Sequence, residues 1–149
     1  MSQRRTAHDD VRAAVEAYVS AVSAADPKAV RAAFRADAHM WGYLGEQFVS
    51  APIEAFSEVV AADEDAPRWS RDYTYSIRAV EVSGDVAVAV LDEYGYQGHD
   101  FTNHFSLVRQ DGAWLIASKT FLRRDPERSA TATTGAADAG TEPGDQTAD

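Results

Sequence analysis

The hydrophobic period of this chain changes once, at about residue 70, and that change restricts what it can fold into. Upstream, Val11, Val15, Tyr18, Val19 and Val22 recur at helical spacing and make one apolar stripe. Downstream, residues 72–82, 86–96, 101–109 and 113–122 are rich in Val, Ile, Tyr, Phe, Trp and Thr. Turn formers separate these runs: Ser83-Gly84-Asp85, Gly98-His99-Asp100 and Gln110-Asp111-Gly112. The downstream half therefore reads as an antiparallel meander. Helices followed by a meander predict an α+β domain with helices against one sheet face.

Local signals place the upstream elements. Thr6 and Asp9 have the spacing of a capping box, with Asp in place of the usual Glu or Gln. Asp26-Pro27 ends the first helix and restarts a second, Asp as N-cap and Pro at the first helical position, with Val30, Ala33 and Phe34 inward. Ser50-Ala51-Pro52 opens a third, in which Ile53, Phe56, Val59 and Val60 share a face, and residues 38–44 between them read as a short strand. In the first run of the meander, Tyr73, Tyr75 and Ile77 fall on one parity while Val80 and Val82 fall on the other. A β-bulge near Arg78-Ala79 reconciles the two and bends the sheet.

Composition narrows the function classes. The 149 residues suit one domain, and none is cysteine, which excludes disulfides, thiol nucleophiles and cysteine-ligated metal centres. The formal charge of −10 argues against nucleic acid. No apolar run is long enough to span a membrane, and the polar residues 1–10 contain no signal-peptide core, so a cytoplasmic protein is expected. Abundant Ala, Arg, Asp and Val point to a GC-rich bacterial genome. Residues 125–149 hold six acids against one base, half of the net charge, and no aromatic, Val, Ile, Leu or Met residue. That composition predicts a disordered acidic tail, leaving residues 1–6 as an arm and 7–124 as the folded domain.

The order of elements resembles the nuclear transport factor 2-like superfamily, in which three helices and a curved antiparallel sheet form a cone. The downstream half resembles its "putative lumazine-binding" branch, related to SnoaL-like, polyketide-cyclase-like proteins. The resemblance rests on Thr102 through Arg109, on Asp111-Gly112-Ala113-Trp114-Leu115-Ile116 and on Lys119-Thr120-Phe121. Tyr18, Asp26-Pro27, Phe34 and Asp37-Ala38 support it upstream, and it spans about residues 8–123. It implies a ligand cavity between the helices and the concave sheet face.

Comparison with the ketosteroid isomerases of that superfamily assigns candidate roles. Tyr18 matches their oxyanion-hole tyrosine in its spacing to Phe34 and is read as a catalytic donor, a pocket-lining residue or a core residue. Counted back from the Gly112 turn, His104 matches their second donor and has the acid–base range for proton transfer; a core or interface position is the plainer reading. That count turns Thr102, His104, Ser106 and Val108 inward, and Asn103, Phe105 and Leu107 outward. The isomerases' catalytic aspartate aligns with Gly42, so their route is not expected here. Met40 and Gly42 are placed inward and His39, Trp41 and Tyr43 outward; a slip of one residue exchanges the two sets.

Met40, Tyr73, Tyr75, Thr102, Ser106 and Trp114 are the expected ligand contacts. The rings of Tyr73, Tyr75, Tyr94 and Tyr96 suit stacking on a flat ligand and a dimer face equally. One of Asp92 and Glu93 can be an inward acid, a solvated face being the plainer reading; Lys119, which follows the family pattern, can pair with a carboxylate on an adjacent strand, with a catalytic amine as the lesser alternative. His39, His99, Asp100 and His104 lack metal-ligand spacing, and there is no phosphate loop or nucleophile elbow. The expectation is a cofactor-independent acid–base enzyme of the cyclase, dehydratase or isomerase type, acting on an apolar carbonyl or polyol compound. The alternatives are a non-catalytic ligand-binding protein and a dimeric accessory protein. A homodimer is expected, with Trp41, Phe105 and Leu107 on its buried face.

Overall fold

A computed structural model describes residues 5–124, so the acidic segment 125–149 and most of the expected arm, residues 1–4, lie outside the described residues. Helix α1 (Ala7–Ser23) starts from a complete capping box. The Thr6 hydroxyl accepts from the Asp9 N–H at 3.0 Å, and the Asp9 carboxylate accepts from the Thr6 N–H at 3.3 Å. Asp26 accepts from the Ala29 N–H at 3.1 Å and starts α2 (Pro27–Ala33). Phe34, expected at the inner face of that helix, is instead the first residue of β1 (Phe34–Leu44) and is buried there. The strand therefore begins earlier than residue 38.

Gly45, at φ +66°, turns the chain into β2 (Gln47–Pro52), and α3 (Ile53–Ala61) follows directly. β2 is missed by sequence reasoning because it is a half-exposed edge strand without a regular apolar alternation. A single turn, α4 (Ala66–Trp69), leads into the meander β3 (Thr74–Ser83), β4 (Val86–Tyr96), β5 (His99–Gln110) and β6 (Ala113–Arg124). The sheet order is β2-β1-β6-β5-β4-β3; β1 joins β6 in parallel, and the other neighbours pair antiparallel. Val11, Val15, Tyr18, Val19 and Val22 of α1 are all buried, as their stripe predicts. Helices laid across one face of a curved, open sheet form an α+β cone. Among the described residues, no helix is long and apolar enough to cross a membrane.

Three irregularities bend the sheet. The β3–β4 register shifts between Ile77 and Ala79, so Arg78 is the extra residue, where the parity conflict called for it. The β4–β5 register shifts between Glu93 and Tyr96, with Gly95 at φ +88°. The β5–β6 register shifts so that Leu107 faces Ile116 while Ser106 faces Ser118, which makes Ala117 the extra residue. A bulge moves every later side chain to the opposite face. Ile116 and Lys119 are consequently both buried, as are Glu93 and Tyr96.

The concave wall closes tightly at Gly42, where an added Cβ would collide with the Phe121 backbone carbonyl and ring. Gly42→Ala should therefore cost about 1–3 kcal/mol, as overpacking does. The check is a chemical denaturation curve with a lowered midpoint at unchanged slope.

Candidate functional site

Buried polar side chains locate the site. Glu93 on β4, Asn103 on β5 and Lys119 on β6 are each no more than 5% exposed and lie on the sheet face that the helices cover. Their strands are neighbours; Glu93 faces inward in regular alternation with Ala87, Ala89 and Leu91, and the bulge at Ala117 turns Lys119 inward. With Tyr18 from α1 and Tyr96 from the end of β4, they form the polar end of a cavity of about 160 Å³. Its apolar wall includes Met40, Leu44, Val49, Phe56, Phe101 and Phe121.

Each polar group has a defined partner, with one exception. The Tyr73 hydroxyl donates to Glu93 Oε2 at 2.6 Å, and Asn103 Nδ2 donates to Glu93 Oε1 at 2.7 Å. Lys119 Nζ donates to Tyr18 Oη at 3.0 Å and sits 3.6 Å from the centre of the Phe56 ring. The Phe121 and Tyr18 rings lie 5.2 and 5.3 Å from the same nitrogen, so the amine is enclosed by aromatic faces. The exception is the Tyr96 hydroxyl, which is buried, belongs to a cavity-lining residue and has no hydrogen-bond partner among the described residues.

Burial sets the electrostatics. It pushes the Lys119 ammonium down from 10.5 to about 8, against an opposing pull from the Glu93 charge. It pushes the Glu93 carboxyl above its ordinary range, while the Tyr73 hydrogen bond, Lys119 and Asn103 act against that rise. Tyr18, Tyr73 and Tyr96 are all raised by desolvation first and by the Glu93 charge second, so they remain neutral donors. The site thus holds an acid that retains its proton unusually long and an amine that loses its proton unusually early. Groups shifted in these directions by burial are candidates for proton transfer.

The predicted site residues divide in two. Tyr18 and Met40 line the cavity, and Tyr73 reaches it through Glu93. Trp114 is buried in the core without lining the cavity, and Tyr75 is exposed. The parity expected for β5 is corrected: Asn103, Phe105 and Leu107 are buried, while His104 and Ser106 are exposed and Thr102 is half-buried on the opposite face. Thr102 donates to Asp92 at 2.7 Å, and His104 lies with Thr102, Thr120 and Leu122 in a separate outer groove. Counting from the Gly112 turn misleads because the largest apolar residues decide the face. Phe101, Phe105 and Leu107 alternate, and Asn103 falls between them.

Of the two acids in β4, Glu93 is the inward one. Asp92 pairs with Arg78 at 2.7 Å, and that bond holds its carboxyl below the usual range. Lys119 does not bond a carboxylate on an adjacent strand. Its direct partner is Tyr18, and Glu93, on the next strand but one, acts on it through space. Tyr96, one of the four rings suited to stacking, lines the cavity, whereas Asn103, Phe56 and Phe101 are lining residues beyond those the sequence predicts. Among the described residues, no group of three or more His, Cys, Asp or Glu side chains is placed to hold a metal ion.

A helix-covered, bulged open sheet with a cavity at its concave face defines the nuclear transport factor 2-like superfamily. Residues 6–122 match the family described as "Putative lumazine-binding", and the chain belongs to it. Solved structures agree in fold. A nuclear transport factor 2-like protein of unknown function from Methylobacillus flagellatus KT superposes with TM-score 0.72 at 23% identity, covering 84% of this chain and 99% of its own. One from Shewanella baltica OS155 gives TM-score 0.67 at 23% identity, covering 82% and 99%. A ketosteroid isomerase-like protein from Erwinia carotovora atroseptica SCRI1043 gives TM-score 0.60 at 21% identity, covering 83% and 100%. No curated protein matches the sequence.

The electrostatics can be checked directly. With lysine labelled at the ε-carbon, one of the chain's two lysines should titrate near pH 8 by NMR. Glu93→Gln removes the favourable charge and should lower that midpoint further; a Lys119 midpoint left near 10.5 contradicts the assignment. The sign for stability follows. Between about pH 8 and 10.5 the unfolded chain holds the Lys119 proton that the folded chain has lost, so this group makes stability rise with pH across that window. Thermal unfolding of the protein and of Lys119→Met at pH 8 and pH 10 isolates the contribution.

Proposed function

We propose that the cavity binds a small, flat, neutral compound carrying a carbonyl group, and that its polar end transfers a proton on that compound without a cofactor. The observation that carries this reading is one buried acid and one buried amine lining the same apolar cavity. The walls favour an uncharged ring, because burying a ligand charge beside Glu93 or Lys119 leaves a net charge out of water. The volume is close to that of a cavity that accepts benzene, about 150 Å³. The family's description points to a flat heterocycle with ring carbonyls, which is the same class of shape.

Roles follow from the bonding. Tyr18 Oη accepts from Lys119, which leaves its own O–H to donate to a carbonyl oxygen. Tyr96 offers a second donor that is otherwise unused. Glu93 acts as the base or acid, and Lys119 steadies negative charge developing on oxygen. Cyclisation, dehydration and isomerisation all use these elements. His104 has no part in this chemistry, since it is on the other face of the sheet. Nor does Gly42, whose contact with Phe121 leaves no room for a side chain.

Acetophenone in deuterated buffer tests both halves of the reading. Binding should raise the thermal midpoint. Exchange of the methyl protons should exceed the buffer rate, fall by about 10² or more in Glu93→Gln, and fall by about 10² in Tyr18→Phe. A midpoint shift without enhanced exchange would leave a non-catalytic binding protein. No shift with any small ring ketone would leave the accessory-protein reading.

The outer sheet face favours a homodimer. Trp41, Tyr43, Phe48 and Leu122 are 39–56% exposed, and β1–β6 pairing sets Tyr43 beside Leu122. Phe105 and Leu107, expected on this face, are buried under the helices instead. Contiguous aromatic and aliphatic surface of this kind is uncommon on a monomer. Light scattering should give about twice 16.2 kDa, and Trp41→Arg combined with Leu122→Glu should return the monomer mass.

A further inference from the structure

Arginine supplies almost all of this chain's positive charge: 14 residues are Lys or Arg, and the only lysines are Lys28 and Lys119. Lys28 is exposed on α2, whereas Lys119 is buried. Arginine cannot lose its proton in a protein, but a desolvated lysine can, and an unprotonated amine is a nucleophile. The one buried cation of the cavity is therefore of the type able to form a covalent bond. Its nitrogen is held against the Phe56 ring and bonded to Tyr18, in a cavity also lined by an acid, Glu93, by the Asn103 amide that bonds it, and by Tyr96, whose hydroxyl has no partner among the described residues.

From this arrangement we infer that Lys119 is a carbonyl-capturing amine that forms a reversible imine with aldehydes entering the cavity. The inference rests on the reading of the cavity as a site for neutral carbonyl compounds. The unprotonated Nζ lone pair adds to the carbonyl carbon, and the C=O π pair moves to oxygen, where the Tyr18 and Tyr96 hydroxyls can donate. The proton leaving nitrogen passes through Glu93 to that oxygen and gives a carbinolamine. The nitrogen lone pair then forms the C=N bond as the C–O bond breaks, and the nitrogen's second proton passes to the leaving hydroxyl, which departs as water. Amine and aldehyde become imine and water, with no change of oxidation state. Aromatic walls and the small volume favour an aryl or short-chain aldehyde over a long one. The depressed basicity of Lys119 supports the step, because an appreciable fraction of the amine is unprotonated at neutral pH.

The full chain treated with benzaldehyde and then with borohydride tests this. Reduction converts the imine to a stable secondary amine, read as one benzyl group per chain by intact mass and located by peptide mapping. Lys119 should be modified at least about tenfold more than exposed Lys28 at pH 7.5, as expected for a desolvated amine. Lys28→Met should keep the adduct, and Lys119→Met should lose it. Thermal midpoints with benzaldehyde and with toluene, measured beside it, separate the two levels of the account. Stabilisation by both compounds without an adduct at Lys119 overturns the imine and leaves the cavity as a binding site. Modification confined to Lys28 overturns it as well. Absence of both stabilisation and adduct removes the binding reading and the imine together.

Discussion

Two ionisable groups taken out of water constrain everything around them. Glu93 and Lys119 are almost fully buried, and an isolated buried charge costs several kcal/mol even after relaxation. The fold offsets that cost locally. Tyr73 and Asn103 cover both carboxylate oxygens of Glu93, and three aromatic faces and the Tyr18 oxygen surround the Lys119 nitrogen. A stable core would place leucine at both positions. Two buried ionisable groups that are not bonded to each other are the feature on which the proposed function rests.

The bulges explain how a regular meander comes to hold such a pair. Without the extra residue at Ala117, Lys119 would sit opposite in parity to Ile116 and point outward. Without the shift before Tyr96, its hydroxyl and the Glu93 carboxyl could not share a face. Bulges redirect side chains, and here two of them turn Lys119 and Tyr96 to the face where Glu93 already lies by regular alternation. The resemblance to the ketosteroid isomerases would put their acid at Gly42, where an added Cβ meets Phe121. Phe121 packs against that glycine, and the acid that remains inside comes from the other end of the sheet, on β4.

Most of the architecture is legible in the sequence, because it is written in local chemistry. Thr6, Asp26 and Pro27 mark helix ends; Gly84, Gly98 and Gly112 mark turns; and the conflict between Ile77 and Val80 reveals the Arg78 bulge. The site is only partly legible. Tyr18 and Met40 lie where expected, but counting back from the Gly112 turn gives the wrong face for β5, because the alternation of Phe101, Phe105 and Leu107 carries more weight. That alternation identifies Asn103 as the inward polar residue and sends His104 outside. Lys119 was hidden for a different reason. Its direction depends on a bulge at Ala117 that no turn former or parity conflict announces, since Ala117 and Ser118 are small and fit either face.

A crystal structure with acetophenone bound tests most directly the proposal that the Glu93–Lys119 end of the cavity receives a carbonyl group. The ring should lie between Phe56, Phe101 and Phe121, with the ketone oxygen within hydrogen-bond distance of the Tyr18 or Tyr96 hydroxyl. A ligand seated only in the outer groove beside His104, with Phe56 and Phe121 closed over Lys119, would contradict it.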